Sequence, residues 1–464
     1  MAMSGALLML ACLQIVNGMD IDIMSAPAVQ NISEMFVGVA IDSGVIRDKW
    51  RTMDFNSVKM NTLAQELVPT YLRVGGADAD FLVFNQTNTT GYAFDMTVEE
   101  WDQLNNFSMQ SGWNFIFDFN VLLRKNGKWD PTNAMELLRY TKHKGYEAAG
   151  YELGNEPDLF SYLHDIVTPS QLVADIVTLK NVATSTSSRP YLTLGPDASN
   201  ITEIDYFHQF LEAGGGQIVD KATFHHYYMS STLVTVEKFH NVTVLESLRP
   251  QLELAMRWGK MYAPDTEIWL GETSSSYGGG ALNISDRYVA GFVWMDKLCL
   301  ASLIGLKGVI RQSFYGGNYG LIDVNLDPNP DYYITKLYKT LVGSPVLNIT
   351  QGTDPNVRVY AHCTNTRRAR GYEAGSVTVY LMNIGSEPVT VDINGGITKH
   401  LYILSPGDES GLTSQSLKLN GILLKMPTDG QLPPLNPVMH NGSIELQGYG
   451  MAFVVMEARK KECF

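Results

Sequence analysis

Tyr151-Glu152-Leu153-Gly154-Asn155-Glu156-Pro157-Asp158-Leu159-Phe160 decides the reading of this chain. An apolar run ends in Gly-Asn-Glu-Pro, so a strand stops and delivers a carboxylate flanked by an amide. With Ala148 to Leu153 as a buried strand, Glu156 stands just past its C-terminal end, where parallel α/β proteins gather their reactive groups. Outward from it, seven more short apolar runs end in polar residues: 36–42, 71–76, 114–120, 191–197, 222–228, 266–272 and 308–312. Between them, segments such as 131–144, 170–183, 204–213 and 286–303 repeat apolar residues at three- and four-residue spacing, the period of a helix packed on a core. Strand alternating with helix eight times predicts an α/β fold, a (β/α)8 TIM barrel over residues 34–345. A doubly wound open sheet is the alternative, but no glycine-rich phosphate fingerprint follows the first strand.

From about Leu347 the helical period disappears. Runs at 357–362, 376–382, 389–393, 399–404 and 451–456 are separated by Gly, Asn, Pro and Ser, which predicts a C-terminal antiparallel β-sandwich over 346–464. Ala6 to Val16 is an apolar run of signal-peptide length with an expected cut after Gly18, giving a leader over 1–18. That run is too short to span a bilayer, and no later segment is apolar enough to do so. Asn31, Asn85, Asn88, Asn106, Asn200, Asn241, Asn283, Asn348 and Asn441 all begin Asn-X-Ser/Thr sequons. These features predict a secreted or lysosomal glycoprotein. In an oxidising compartment Cys363 and Cys463 are expected to pair, leaving Cys299 as a buried thiol; no metal-ligand spacing links the cysteines. The formal net charge of −14 argues against nucleic-acid binding, and any polyanionic substrate must be held by local basic groups.

Two strand ends present glutamates, Glu156 after the fourth and Glu272 after the seventh, and barrel closure brings both to one face. Paired carboxylates across a barrel mouth suit glycoside hydrolysis, one protonating the leaving oxygen while the other attacks or activates water. Asn155 can donate to the sugar hydroxyl next to the reacting carbon, which makes Glu156 the acid/base and Glu272 the nucleophile. Tyr227 and His225, on the sixth strand, are expected to orient Glu272 by hydrogen bonds, although a histidine in a strand is as readily structural. Glu152 and Glu267 are read as surface charges or ion-pair partners.

Gly154-Asn155-Glu156-Pro157, Phe224-His225-His226-Tyr227-Tyr228 and Trp269-Leu270-Gly271-Glu272-Thr273-Ser274-Ser275 together resemble the heparanase family of retaining endo-β-glucuronidases. So do Arg73-Val74-Gly75-Gly76, Gly195-Pro196-Asp197, Tyr277-Gly278-Gly279-Gly280, Arg311-Gln312 and Asn318-Tyr319, and the likeness runs from about Phe36 to Cys463. The resemblance implies double displacement with Glu156 as proton donor and Glu272 as nucleophile, with no metal or organic cofactor. It also implies a cleft lined by Asp42, Asn155, His225, Tyr227, Gly278, Gly279, Gln312, Gly317 and Tyr319, a strand within 19–33 that joins the sandwich, and the Cys363–Cys463 bridge. The implied partner is a glycosaminoglycan polysaccharide, bound by a monomer with at most peripheral cell-surface association.

Departures from the family pattern bear on substrate. Only Phe84 to Phe94 stands where vertebrate heparanases carry an excised linker, so the chain is expected to work unprocessed. Where the family has a lysine and a basic cluster, this sequence has Asp78 and Ala198-Ser199-Asn200-Ile201-Thr202; Arg73, Arg124, Lys125 and Lys128 are the basic residues expected nearby. Arg and Lys hold sulfates best. Heparan sulfate is the expected substrate, hyaluronan the rival as in the related leech hyaluronidase, and a non-catalytic glycosaminoglycan-binding protein the reading from another class.

Overall fold

The computed structural model describes residues 18–464 except 88, 90, 164, 165, 188, 351, 353, 428 and 429. The expected leader, with Cys12, and the Asn88 sequon therefore lie outside the described residues; the expected cut falls at Gly18, the first residue of a strand.

Eight parallel strands close into a barrel: β1 (Val37–Asp42), β2 (Tyr71–Gly75), β3 (Asn114–Phe119), β4 (Gly150–Leu153), β5 (Leu192–Ala198), β6 (Lys221–His226), β7 (Glu267–Thr273) and β8 (Gly308–Tyr315). Each pairs with its sequence neighbours, and β8 closes on β1. The strands are buried along nearly their whole length because helices cover the outside and side chains fill the inside, so they read as continuous apolar runs rather than alternating ones. Helix starts follow local chemistry. Thr97 caps the helix Val98–Ser111 in a reciprocal box with Glu100, and Thr168 followed by Pro169 opens Pro169–Thr186. The Ala290–Ile304 helix is buried on nearly every side, wedged between barrel and C-terminal sheet.

The C-terminal part has two layers. A nine-stranded sheet contains β9 (Val342–Leu347), β10 (Val357–Thr364), β11 (Val377–Asn383), β12 (Lys399–Pro406) and β13 (Met451–Met456). A three-stranded sheet carries Val389–Ile393 between Ile444–Leu446 and Gly18–Ile21. Strand periodicity explains the packing. On β11, Val377, Val379 and Leu381 join the core between the two sheets, whereas Tyr380 and Met382 join the barrel core.

Three details differ from the sequence expectation. The N-terminal segment supplies two strands instead of one: Gly18–Ile21 adds to the small sheet and Ala28–Asn31 to the large one. The first of these pairs in parallel, so the sandwich is not wholly antiparallel. Strand β9 already belongs to the sheet before the expected boundary at 345, because the preceding helix, Pro330–Leu341, runs into it without a loop. Cys363 and Cys463 form a disulfide, tying β10 to the C-terminus, and Cys299 is a buried thiol.

Candidate active site

The C-terminal ends of the barrel strands enclose a pit of charge. Arg73, fully buried on β2, lies at its floor. Its Nε donates to Glu152 Oε2 at 2.7 Å, Nη1 to Glu272 Oε2 at 2.8 Å and Nη2 to Asn155 Oδ1 at 3.0 Å. A guanidinium can do this because its donors leave a rigid plane in fixed directions; an ammonium could not fix three partners on three strand ends at once. Since Asn155 Oδ1 accepts from Arg73, its Nδ2 is left as a donor toward the cleft, and its backbone N–H is held by Asp80 at 2.9 Å.

Glu272 closes β7. Tyr227, just past β6, donates to its Oε1 at 2.5 Å while Arg73 holds the other oxygen. Burial alone would raise this carboxyl, but His225, Arg73 and the Tyr227 hydroxyl overrule it and hold it below the usual glutamate range. Glu156 stands beyond β4 with φ at +52°, its backbone N–H donated to Asp197 O at 2.9 Å. The chain reaches that conformation through Gly154 (φ +83°), where a Cβ would come within 2.5 Å of Val121. Gly271, before Glu272, is required by close approach: a Cβ there would meet Asp197 Oδ1 at 2.5 Å.

His225 joins the two halves. Its Nδ1 lies 2.8 Å from Glu156 Oε1 and its Nε2 3.3 Å from Asp197 Oδ1. Burial by itself would lower its pKa, but Glu272, Asp197 and Glu156 push it up to about 10, so it is an imidazolium donating from both nitrogens. It therefore orients Glu156 and not Glu272, which corrects the sequence expectation; the imidazole is reached by Glu156 because β4 and β6 flank β5. A carboxylate oxygen of Glu156, one of Glu272 and a ring nitrogen of His225 all lie within 4.8 Å of one another.

Burial and pairing divide the acids of the pit into two groups. Arg73 and His225 are the cations. Glu272 is held ionised as described; Asp197 is too, since its His225 hydrogen bond and Arg73 outweigh burial. The remaining acids go the other way. Burial pushes Asp80 to about 7, Glu152 to about 7 despite Arg73, and Asp118 well above the usual aspartate range. Asp118 lies 3.8 Å from Arg73, and its oxygens have no hydrogen-bond partner among the described residues. Arg73 and His225 thus serve Glu272 and Asp197, both held ionised, and His225 also pairs with Glu156, while burial raises Asp80, Glu152 and Asp118.

The expected cleft residues gather around this pit. Asp42, at the end of β1, accepts from Gln312 Nε2 at 2.9 Å and from the Gly44 N–H at 2.8 Å, and burial pushes it to about 6. Gly278 and Gly279 follow β7 in left-handed conformation, and the Asn318 N–H donates to Gly279 O at 2.7 Å, which locks that loop to the loop carrying Gly317 and Tyr319. The Tyr319 carbonyl accepts from Arg311 at 2.9 Å, and Arg311 is pinned by Asp331 at 2.8 Å.

Sequence reasoning missed Glu152, Asp118, Asp80 and Asp197 as parts of the site. The signal available was an acidic residue inside an apolar strand, as in Phe117-Asp118-Phe119 and Tyr151-Glu152-Leu153, which burial forbids without a buried cation. Glu267, by contrast, is an exposed partner of Lys221. Of the basic residues expected near the cleft, Arg73 is spent inside the protein and Arg124 pairs with Asp175, leaving Lys125 and Lys128 exposed on a hairpin. Asp78 is tied to Arg47 at 2.5 Å.

Residues 61–299 match glycosyl hydrolase family 79, N-terminal domain, a span of more than half the chain. The chain belongs to glycosyl hydrolase family 79. Heparanase of Mus musculus is 32% identical over 95% of this chain and 93% of its own length. Hyaluronoglucuronidase of Hirudo nipponia is 35% identical over 94% of this chain and 97% of its own. Among solved structures, a 4-O-α-L-rhamnosyl-β-D-glucuronidase from Fusarium oxysporum superposes with a TM-score of 0.74 at 15% identity, covering 94% of this chain and all of that one, which speaks to the shared fold. This family 79 chain is a glycoside hydrolase.

Proposed function

We propose that the protein is a retaining endo-β-glucuronidase that cuts internal glucuronide bonds of glycosaminoglycans, with Glu272 as nucleophile and Glu156 as acid/base. The observation that carries this reading is the close carboxyl pair, with oxygens of Glu156 and Glu272 within 4.8 Å. Retaining enzymes set their carboxyls about 5–5.5 Å apart, whereas inverting ones need about 6.5–9.5 Å to admit water between them. The different surroundings of the two groups support the division of labour. Glu272, fixed by Tyr227 and Arg73 and held ionised, attacks the anomeric carbon while Glu156 protonates the departing oxygen. Glu156 then takes a proton from the water that releases the glycosyl-enzyme. Asn155 Nδ2, aimed by Arg73, donates to the neighbouring sugar hydroxyl, a bond that strengthens as positive charge develops. Asp42, Gln312, Tyr319 and the glycine loops of Gly278, Gly279 and Gly317 bind the sugar, and backbone N–H groups of such loops suit a uronate carboxylate.

The likeness to heparanases supports heparan sulfate as substrate. A specific observation favours hyaluronan as the second reading: Arg73 is enclosed and Ala198 to Thr202 carries no base, so few cations face the cleft to hold sulfates. The leader-like start, the sequons and the disulfide support action outside the cell or in the lysosome, as a monomer touching membranes only peripherally; no helix among the described residues is long and apolar enough to cross a membrane.

Incubation with heparan sulfate and with hyaluronan, followed by sizing and reducing-end analysis, tests the reading. Large fragments ending in glucuronic acid are expected, and ends in N-acetylglucosamine would refute the bond specificity. Glu272→Gln should lower kcat on the order of 10⁴-fold or more on every substrate. Glu156→Gln should lose as much on polysaccharide yet recover much of its rate on an aryl glucuronide, whose leaving group needs no proton. A fully active variant at either position would overturn the assignment.

A further inference from the structure

At the opposite end of the barrel a second site lies between the barrel and the C-terminal sheet. A cavity of about 450 Å³ is bounded by the end of the Pro330–Leu341 helix, the loop after β10 and the segment around Leu432 to Leu435. Arg368 donates to the Val68 carbonyl just before β2, which puts the cavity beneath the N-terminal ends of the strands, away from Glu156 and Glu272. Its lining contains Lys336, Arg367, Arg368 and Arg370, in a protein whose net charge is −14. Lys336 is paired with Glu66, the acid of the lining. Arg367 is 88% exposed and reaches Glu34 only at 3.8 Å, and Arg370 is exposed. Two further lining residues, Tyr333 and Thr340, carry buried hydroxyls with no hydrogen-bond partner among the described residues.

A second cavity of about 430 Å³ shares Arg367 as a wall and is rimmed by Ser33, Ser344, Thr366 and the amide of Asn365. Two adjoining hollows divided by one exposed guanidinium, whose acid, Glu34, lies in the wall of the second, suit an extended ligand better than a small ion. Guanidinium forks grip sulfate or carboxylate in pairs of hydrogen bonds, the hydroxyls and amide match sugar hydroxyls, and Leu432, Pro433 and Leu435 offer an apolar wall to the C–H face of a sugar ring.

We propose that these two cavities form a non-catalytic site for an oxyanion-bearing polysaccharide segment, which anchors a chain to the enzyme on the side remote from hydrolysis. The substrate class rests on the reading above; the binding does not. Such an anchor raises the effective concentration of the same or a neighbouring chain at the cleft without new contacts there.

The test is the double variant Arg367→Glu/Arg370→Glu, with both changes at exposed positions and folding checked by thermal melting. In a Glu272→Gln background, binding to immobilised heparin and to immobilised hyaluronan separates sulfate from carboxylate recognition. The double variant is expected to bind at least tenfold more weakly to one or both. With Glu272 intact, KM for the long polysaccharide should rise several-fold while kcat, and all constants on a tetrasaccharide, stay unchanged. Unaltered binding to both polymers would overturn the proposal, as would an equal loss on tetrasaccharide and polymer. Should no polysaccharide be cleaved at all, the assigned reaction fails, while the binding arm still decides for or against the site.

Discussion

The two ends of the barrel handle charge in opposite ways. At the C-terminal end, charges are sealed in and matched: Arg73 and His225 answer Glu272 and Asp197, and surplus acids are driven toward neutrality. At the N-terminal end, Arg367 and Arg370 stand in solvent with little to answer them. A buried charge without a partner is very costly, so a matched set persists only with fixed geometry, and fixed geometry is what bond-breaking requires. An exposed cation costs almost nothing to keep and holds its position loosely, which suits gripping a polymer of variable pattern.

The sharpest way to break the contrast is to remove the floor of the pit. Arg73→Met leaves Glu272 and Glu152 buried without their cation, and breaking such a set costs about 3–5 kcal/mol. Chemical denaturation should show a loss of that size together with loss of turnover, whereas charge reversal at Arg367 and Arg370 should leave stability nearly unchanged. An Arg73→Met protein of wild-type stability would mean that the pit's acids are all neutral and the matching is illusory.

Asp197→Asn probes the same circuit more gently. Without that carboxylate His225 keeps Glu272 and Glu156 but loses one of the three acids that raise it, so its pKa falls below about 10 and it loses charge at lower pH than in the wild type. Turnover should fall about 10–100-fold at pH 7.5, less than the upper end of what loss of an acid/base group costs, and the alkaline limb of the kcat profile should move to lower pH. Titration of the His225 ring by NMR checks the cause, because a merely structural role for Asp197 would leave that titration in place.

How much of this was legible in the sequence follows the same division. Apolar runs ending in polar residues mark all eight barrel strands because a strand buried on both faces needs no alternation, and Gly154 and Gly271 mark the glutamates because the backbone there must turn or approach closely. What stayed hidden was pairing across the barrel. Nothing near Arg73 in sequence says that its partners are Glu152, Asn155 and Glu272, which lie 79, 82 and 199 residues away. For the same reason Arg73 read as a base free for substrate, and His225 as a support for Glu272 instead of Glu156. Strand β9 and the strand Ala28–Asn31 were hidden differently: both are short and sit at chain junctions, so their apolar content merged with a helix end and a lead-in segment.

The smallest expected effect, a pH slope in stability, is the one that tests the charge balance as a whole. Asp42, Asp80 and Glu152 have folded-state values of about 6, 7 and 7, above ordinary values of 3.8 and 4.5. Between the ordinary and the raised values the folded protein holds more protons than the unfolded chain, so stability falls as pH rises through that window. His225, raised from 6.5 to about 10, acts with the same sign from neutrality upward. Glu272 and Asp197 act oppositely but only under acid, since carboxyls held low give up their contribution as pH drops below about 4. Thermal melting at constant ionic strength should therefore show a steady decline from pH 5 to pH 8. The Arg367→Glu/Arg370→Glu protein should show the same slope, because those exposed groups do not titrate in that range. A melting temperature that rises toward pH 8 would place the surplus acids of the pit in their charged form, and the contrast between a matched interior and an unmatched surface would fail at its better-defined end.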